Sequence, residues 1–580
     1  MLLTWAAQAD APVWDEPAHL AAGLAVLERG DVGLYRVNPP LVRTLAALPA
    51  RWLGAATDWS KATDDPAGRP EFQVAQDFIR VNGSRLFALM TLGRLACLPL
   101  SLLGALACGA WARDLFGPWA GQLALALWCF SPSVLAHGHL ITADLAGAAL
   151  FILASWCCQR WLRARSVSWA LRTGLAVGVA LLAKHTCLLL VVLVPVLTLV
   201  AVVATPRGER RPRRDLGQLA LVVAVAWLVV NLGYGFSGTG RRLGDFTFVS
   251  ARLTGHPPAQ GQAAETGNRF RDHWLGALPV PVPADLVRGV DRQQRDFDKP
   301  MRSYFDGRFH AGGWWWYYLR ALPLKVPAGT WLVLAAAIGL AVLRPGARAA
   351  WRDELSLLLP PLLVLLAVSA QSNWSLHVRY VLPVVPFLFV IASRLVAEGA
   401  GAWRGRSVVA SVGLTLALVS SLVQAPHWLS FVSWPAGGPA RGPHHFVDSS
   451  FDWGQDLLHL KTWLDEHPEA RPLNLTYFGS VDPRLAGIQH RLSPPLRPGD
   501  LPDPASLVGW HAISTNYLQG FQFPAHRGDG RFAMVRAGDY LHFQSLEPVG
   551  RAGRSILVYR IDAEMVTRLL DERLAIEAGS

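Results

Sequence analysis

The chain has 580 residues, 52% of them hydrophobic and 17% charged, with 24 tryptophans and a mean hydropathy of +0.27. Soluble domains carry about 25% charged residues, so the composition excludes an ordinary soluble enzyme and indicates a polytopic membrane protein. The net charge of +12 does not point to nucleic acid, because the arginines gather in short loops such as TPRGERRPRRDLG and RPGARAAWRDE, without an aromatic-basic recognition module.

The first polar string, WDEPAHL, places Asp15, Glu16 and His19 after a short apolar stub. Residues 16–30 and 40–53 carry apolar side chains at helical spacing (Leu20, Leu24, Leu27; Leu41, Leu45, Leu48, Trp52) and read as amphipathic helices in a membrane interface. Asp15 also fits a helix N-cap, with Pro17 at an early helical position. Ten apolar runs then approach the roughly 20 residues needed to span a bilayer. They lie near 86–112, 118–137, 144–162, 168–184, 185–204, 217–236, 326–343, 355–371, 380–397 and 407–425. The six cysteines all fall in apolar segments, with no disulfide or metal spacing. The run from Trp314 to Tyr318 reads as an interfacial aromatic belt.

Arg113, Arg160, Arg163, Arg165, the RRPRR cluster, Arg344 to Arg352, and Arg394 to Arg406 share one face, which the positive-inside bias makes cytoplasmic. Residues 1–85, 237–325 and 426–580 are then extracytoplasmic, with spans over 86–236 and 326–425. A first loop on that side needs a preceding span, so MLLTWAAQA reads as the remnant of an upstream helix. Beyond about residue 440 the apolar runs shorten to LNLTYFG, HAISTNYL and SILVYRI, beside the amphipathic DLLHLKTWLDEH, which predicts a small α/β domain.

The same topology collects the ionisable residues near spans at one surface. Asp15, Glu16 and His19 lie in the first loop; His137, His139 and Asp144 lie in a hairpin; Lys184, Lys325, His377, Arg379 and Tyr380 head other spans. Such residues are functional candidates because a bilayer penalises them. Carboxylates beside cations suit transfer from a lipid phosphate: an acid takes the acceptor proton and the cations neutralise the departing phosphate. In FDWGQDL, Asp452 and Asp456 read as helix caps, with a sugar contact through Trp453 as the alternative.

Several stretches in order, DEPAHLAAGLAVLERGD, NPPLVRTLAALP, AHGHLITAD, GLAVGVALLAKHT, GGWWWYYLRALPLKVP, HVRYVLPVVPFLF and HHFVDSSFDWGQDL, resemble glycosyltransferase family 39 and the bacterial protein-mannosyltransferase-like enzymes, including the aminoarabinose transferases. The resemblance covers nearly the whole chain. It implies a GT-C fold: a polytopic α-helical membrane protein with outer-interface helices and a small C-terminal extracytoplasmic α/β domain. It also implies a polyprenyl-phosphate-sugar donor and an extracytoplasmic acceptor hydroxyl on a glycan, lipid or protein. On that pattern Asp15 is the general base and Glu16 shapes its surroundings or helps hold an acceptor or ion. Lys184 and Arg379 meet the lipid phosphate, with Lys325 a weaker choice for the same task. Asp144 and His139 match a hairpin facing the site; His19, His377 and Tyr380, gathered at the same surface by topology, complete the candidate substrate-binding set. The implied partners are membrane lipids and the lipid-linked sugar, in the cell (inner) membrane. A divalent cation is left open, since Asp15, Glu16, His19 and His139 are suitable ligand types without a diagnostic spacing. A transporter or lipid-linked-sugar flippase is the competing class, disfavoured by the one-sided polar groups and the lack of an internal repeat.

Overall fold

The computed structural model describes residues 1–255, 266–298, 300–344, 346, 348–371, 373–398, 404–497 and 499–579. Among these described residues, six helical segments are long and apolar enough to cross a membrane: Arg85–Phe116, Ala143–Ala164, His185–Val203, Pro212–Gly233, Val378–Val396 and Gly405–Leu422. Two bent pairs raise this to eight, Pro118–Cys129 with Pro132–Gly138 and Tyr317–Lys325 with Ala328–Leu343. The remaining two of the ten runs are helical as well. Val167–Leu181 is only 15 residues long, and Trp351–Ser369 carries Asp353 and Glu354 in its first turn. The protein is thus a multi-pass helical protein; bends in two runs, the shortness of a third and the charges of a fourth account for the difference from ten straight spans.

Small residues set the closest helix contacts. Gly329 and Gly413 face each other between Ala328–Leu343 and Arg404–Leu422, and a Cβ at either would collide with the backbone or side chains opposite. This is how spanning helices pack where lipid supplies no hydrophobic drive between them.

The helix Glu16–Arg29 differs from its expectation. Residues from Glu16 to Ala25 are buried on every side, so it is not a half-exposed interfacial helix. Pro40–Trp52 covers one side, where a Cβ at Gly23 would strike the Arg43 carbonyl, and Pro70–Asn82 covers another. The leucine spacing was compatible with a helix of either exposure, because alanines fill the intervening positions. In the aromatic run, Trp315 is exposed, whereas Tyr317 is buried and donates its hydroxyl to the Leu376 carbonyl at 2.7 Å.

The C-terminal region holds a four-stranded sheet in the order Leu473–Thr476, Gly509–Ser514, Ile556–Ile561, Gly550–Ala552. The first pair is parallel and the others antiparallel. The helix Leu457–Glu466 buries Leu457, Leu460 and Leu464, as its i, i+3, i+7 pattern predicts. This α/β unit is tied to the N-terminal strip: Ala11 N–H donates to the Gln455 carbonyl at 2.8 Å and Trp14 N–H to the Trp453 carbonyl at 3.0 Å.

Candidate active site

Seven of the ten candidate residues line one cavity of about 310 Å³: Asp15, His19, Asp144, Lys184, His377, Arg379 and Tyr380. His19 lies in the first turn and a half of Glu16–Arg29, and the others arrive at helix starts or at breaks in regular structure. Asp15 occupies the N-cap position of Glu16–Arg29 but makes no capping hydrogen bond, which leaves its carboxylate to the cavity. Asp144 lies in the first turn of Ala143–Ala164, where the helix dipole favours a carboxylate. Lys184 is extended between Val167–Leu181 and the 3-10 turn His185–Leu188, and that break turns its side chain inward. Arg379 and Tyr380 sit in the 3-10 segment Val378–Val384, which feeds the helix Val385–Ser393.

The charged groups form a connected set. Arg379 lies 3.4 Å from Asp15 and 3.5 Å from Asp144, and Asp144 also pairs with Lys184 at 2.5 Å. One carboxylate therefore holds both cations side by side. The Arg379 Nε is buried without a hydrogen-bond partner among the described residues, so this guanidinium has donor capacity left for a ligand. Its Cζ lies 4.3 Å from the centroid of the Trp453 ring, so FDWGQDL reaches the site through a cation–π contact. Burial raises the Asp15 carboxyl above the ordinary aspartate range, against the pull of Arg379 and Arg69. Burial pushes His19 down to about 3 and His377 well below its usual value, which favours the neutral form of both imidazoles.

Three candidates do not line this cavity. Glu16 points to the opposite side and is consumed by Arg94, at 2.6 and 2.9 Å, and by the Val13 and Ile141 amides. Successive helix positions differ by about 100°, so adjacent acids face different surroundings. His139 faces the Leu135 carbonyl at 2.7 Å and Asp10 at 3.1 Å. Lys325 lies behind Arg379 in a separate pocket of about 30 Å³ shared with His137, and donates to the Leu429 carbonyl at 3.0 Å. The suggested ion ligands Asp15, Glu16, His19 and His139 accordingly do not converge.

Other cavity residues were absent from the sequence-based set. Tyr35, Asn38 and Arg69 come from the first 85 residues, Gln293 and Asp296 from the helix Ala284–Asp298, and Trp374 from the approach to the span Val378–Val396. Arg69 pairs with Asp296 at 3.0 Å, which ties the two large loops together over the site. Asp448, with φ +54, feels Asp15 and Arg379 and is raised by burial to about 6. The two FDWGQDL carboxylates do not cap their own helix. Asp456 accepts the Arg554 and Ser555 amides at 2.7 Å each, and Asp452 accepts the Gly454 amide at 3.2 Å.

The cavity continues sideways. Lys184, His185, Gln293, Phe297 and Tyr380 also line a second cleft of about 280 Å³. Leu188 and Val290 connect that cleft to a third of about 520 Å³, walled almost wholly by Val, Leu, Pro and Ala side chains with Trp227. A polar chamber thus opens through a mixed neck into an apolar groove.

These features define a multi-pass membrane protein with a polar, charge-balanced chamber open to an apolar groove. Residues 78–234, which include Asp144 and Lys184, match the family model for dolichyl-phosphate-mannose-protein mannosyltransferases. Over that stretch the chain is similar to the family 39 glycosyltransferases of the GT-C type. Among solved structures, ArnT from Cupriavidus metallidurans in the apo state aligns at 15% identity, covering 97% of this chain and 96% of that one, with a TM-score of 0.42. The same protein bound to undecaprenyl phosphate aligns at 13% identity over 96% and 95%, with a TM-score of 0.44. The apo oligosaccharyltransferase from Archaeoglobus fulgidus aligns at 12% over 78% of this chain and 54% of that one, with a TM-score of 0.40. No curated protein matches the chain.

Proposed function

We propose that this protein is an integral-membrane glycosyltransferase that moves a sugar from a polyprenyl-phosphate donor to a hydroxyl acceptor on the extracytoplasmic side. The carrying observation is the convergence of Asp15, Arg379, Asp144 and Lys184 at one chamber that opens into an apolar groove. A donor with a charged head and a hydrocarbon tail matches that sequence of environments. In this reading the phosphate lies against Lys184 and Arg379, and the prenyl chain runs past Tyr380, Leu188 and Val290 into the groove.

The Asp15 carboxylate removes the acceptor's hydroxyl proton. The acceptor oxygen attacks the anomeric carbon, the bond from that carbon to the phosphate oxygen breaks, and the electron pair leaves with the lipid phosphate. Lys184 and Arg379 stabilise the charge that builds there. Asp144 holds the two cations in place before the donor arrives, so little reorganisation is needed in the transition state. A carboxyl raised by burial is a stronger base than an exposed one. A single displacement inverts the anomeric centre.

The reading is tested by binding. Native mass spectrometry of the purified protein with a long-chain polyprenyl phosphate should give a one-to-one complex, weakened at least tenfold in Lys184→Met and in Arg379→Met. Equal retention of the lipid in wild type and both variants would remove the chamber from donor binding.

A further inference from the structure

A second cluster of ligating side chains lies outside the chamber. Asp10, His427, Asp456 and His459 each bring one ligand atom within 4.8 Å of the other three. None of the four lines the cavity that holds Asp15. We propose that these residues form a binding site for a divalent transition-metal ion of the zinc class, which fastens the C-terminal domain to the strip that carries Asp15.

The four come from separate parts of the chain. Asp10 ends the helix Leu2–Ala9, His427 follows the last spanning helix, and Asp456 and His459 stand three residues apart at the start of Leu457–Glu466. His459 Nε2 lies 3.4 Å from Asp10 Oδ1, and His427 Nδ1 lies 3.5 Å from Asp456 Oδ1. Ligands about 2.0–2.2 Å from a tetrahedral ion stand roughly 3.3–3.6 Å from one another. Two edges of such a tetrahedron are therefore already present, and a contraction of the remaining separations completes it.

Hydrogen bonding points the same way. The Asp456 side chain is fully buried, and its Oδ1 has no hydrogen-bond partner among the described residues. The facing His427 Nδ1 has none either. Folded proteins rarely leave buried polar atoms unpaired, and a buried carboxylate oxygen facing an imidazole nitrogen at 3.5 Å, too far for a well-formed hydrogen bond, is an arrangement that a shared cation satisfies. The outer oxygens are held as metal ligands usually are. Asp456 Oδ2 takes two backbone amides at 2.7 Å, and Asp10 Oδ2 meets His139 at 3.1 Å. Two imidazoles and two carboxylates favour zinc or a neighbouring transition ion over calcium or magnesium, which prefer all-oxygen sites. The two carboxylate charges match a divalent ion.

The consequence follows from position. Asp10 lies five residues before Asp15, on the strip already bonded to Gln455 and Trp453. An ion there joins the N-terminal strip, the exit of the last spanning helix and the C-terminal domain at one point. This claim is independent of the donor's identity.

The test is metal binding by the full-length protein in detergent, stripped with a chelator and dialysed against zinc, cobalt or, as a control, magnesium. Wild type should retain about one zinc per chain, show the intense visible bands of tetrahedral cobalt, and melt at a higher temperature with zinc than with chelator. The pair His427→Gln and His459→Gln should each bind zinc at least ~10-fold more weakly and lose the zinc-dependent shift, while melting like wild type in chelator. Should a variant fail to fold, X-ray absorption of the wild-type zinc complex decides instead, with two nitrogen and two oxygen donors expected. Absence of retained zinc in wild type, undiminished binding in folded variants, or a different donor set would each overturn the proposal.

Discussion

Replacing Glu16 by glutamine should unfold the N-terminal strip without touching the reacting groups. Both partners of the Glu16–Arg94 pair are almost completely buried, at 0% and 1% side-chain exposure, and Arg94 also donates to the Ala7, Asp10 and Ala11 carbonyls. Breaking such a pair from one side strands a buried charge and costs about 3–5 kcal/mol. Glutamine keeps one acceptor oxygen, so one of the Val13 and Ile141 amides faces the new NH2 group and stands to lose a further ~1–3 kcal/mol, although the contributions do not add fully. The expected cost of Glu16→Gln is therefore about 3–5 kcal/mol, set mainly by the stranded guanidinium. Reversible unfolding in mixed micelles titrated with dodecyl sulfate measures it. A double-mutant cycle with Arg94→Met should return a coupling above about 2 kcal/mol, because removing both charges relieves most of the penalty. A loss below about 1 kcal/mol for Glu16→Gln, or near-zero coupling, would contradict a buried Glu16–Arg94 pair of this strength.

Asp15→Asn should leave the melting curve close to wild type yet lower sugar transfer by about 10²–10⁴-fold, the usual worth of a general base, as read in a single-turnover assay. Transfer should also fall as pH drops through the raised Asp15 pKa, above the ordinary aspartate value near 4, because the base acts only when ionised. Burial holds the Asp448 carboxyl up at about 6 and the Asp15 charge adds to it, so Asp15→Asn should move the Asp448 titration to lower pH, read from its carboxyl band in infrared spectra; an unmoved titration would separate Asp448 from the site. Val290→Trp narrows the junction of the second and third clefts. It should raise KM for long-chain donors while sparing short, water-soluble analogues, and equal effects on both would place the chain elsewhere.

The spans were legible because hydropathy over about 20 residues is a bulk property that survives bends. Their kinks at Pro132 and between Lys325 and Ala328 were not, since they depend on neighbours. The charged residues at span ends were legible for a similar reason: topology alone gathers Asp15, Asp144, Lys184 and Arg379. What a linear reading confounds is direction. Asp15 and Glu16 are adjacent, yet one faces the chamber and the other the buried Arg94. Arg94 itself carried a usable signal, an arginine within the apolar run LGRLAC, and a charge so placed demands a buried partner. Arg69, before the helix Pro70–Asn82, and Gln293 and Asp296, on the helix Ala284–Asp298, lie in polar stretches where nothing local distinguishes them. The Asp10, His427, Asp456 and His459 cluster joins four positions up to 449 residues apart, and only the fold brings them together.

The most direct measurement is consumption of radiolabelled polyprenyl-phosphate sugars by the purified protein with a hydroxyl acceptor, run beside Asp15→Asn. The account predicts release of free polyprenyl phosphate together with labelled acceptor from one member of the donor panel, and neither product from the variant. Undiminished transfer by Asp15→Asn, or movement of intact donor across the bilayer with no bond broken, would contradict it.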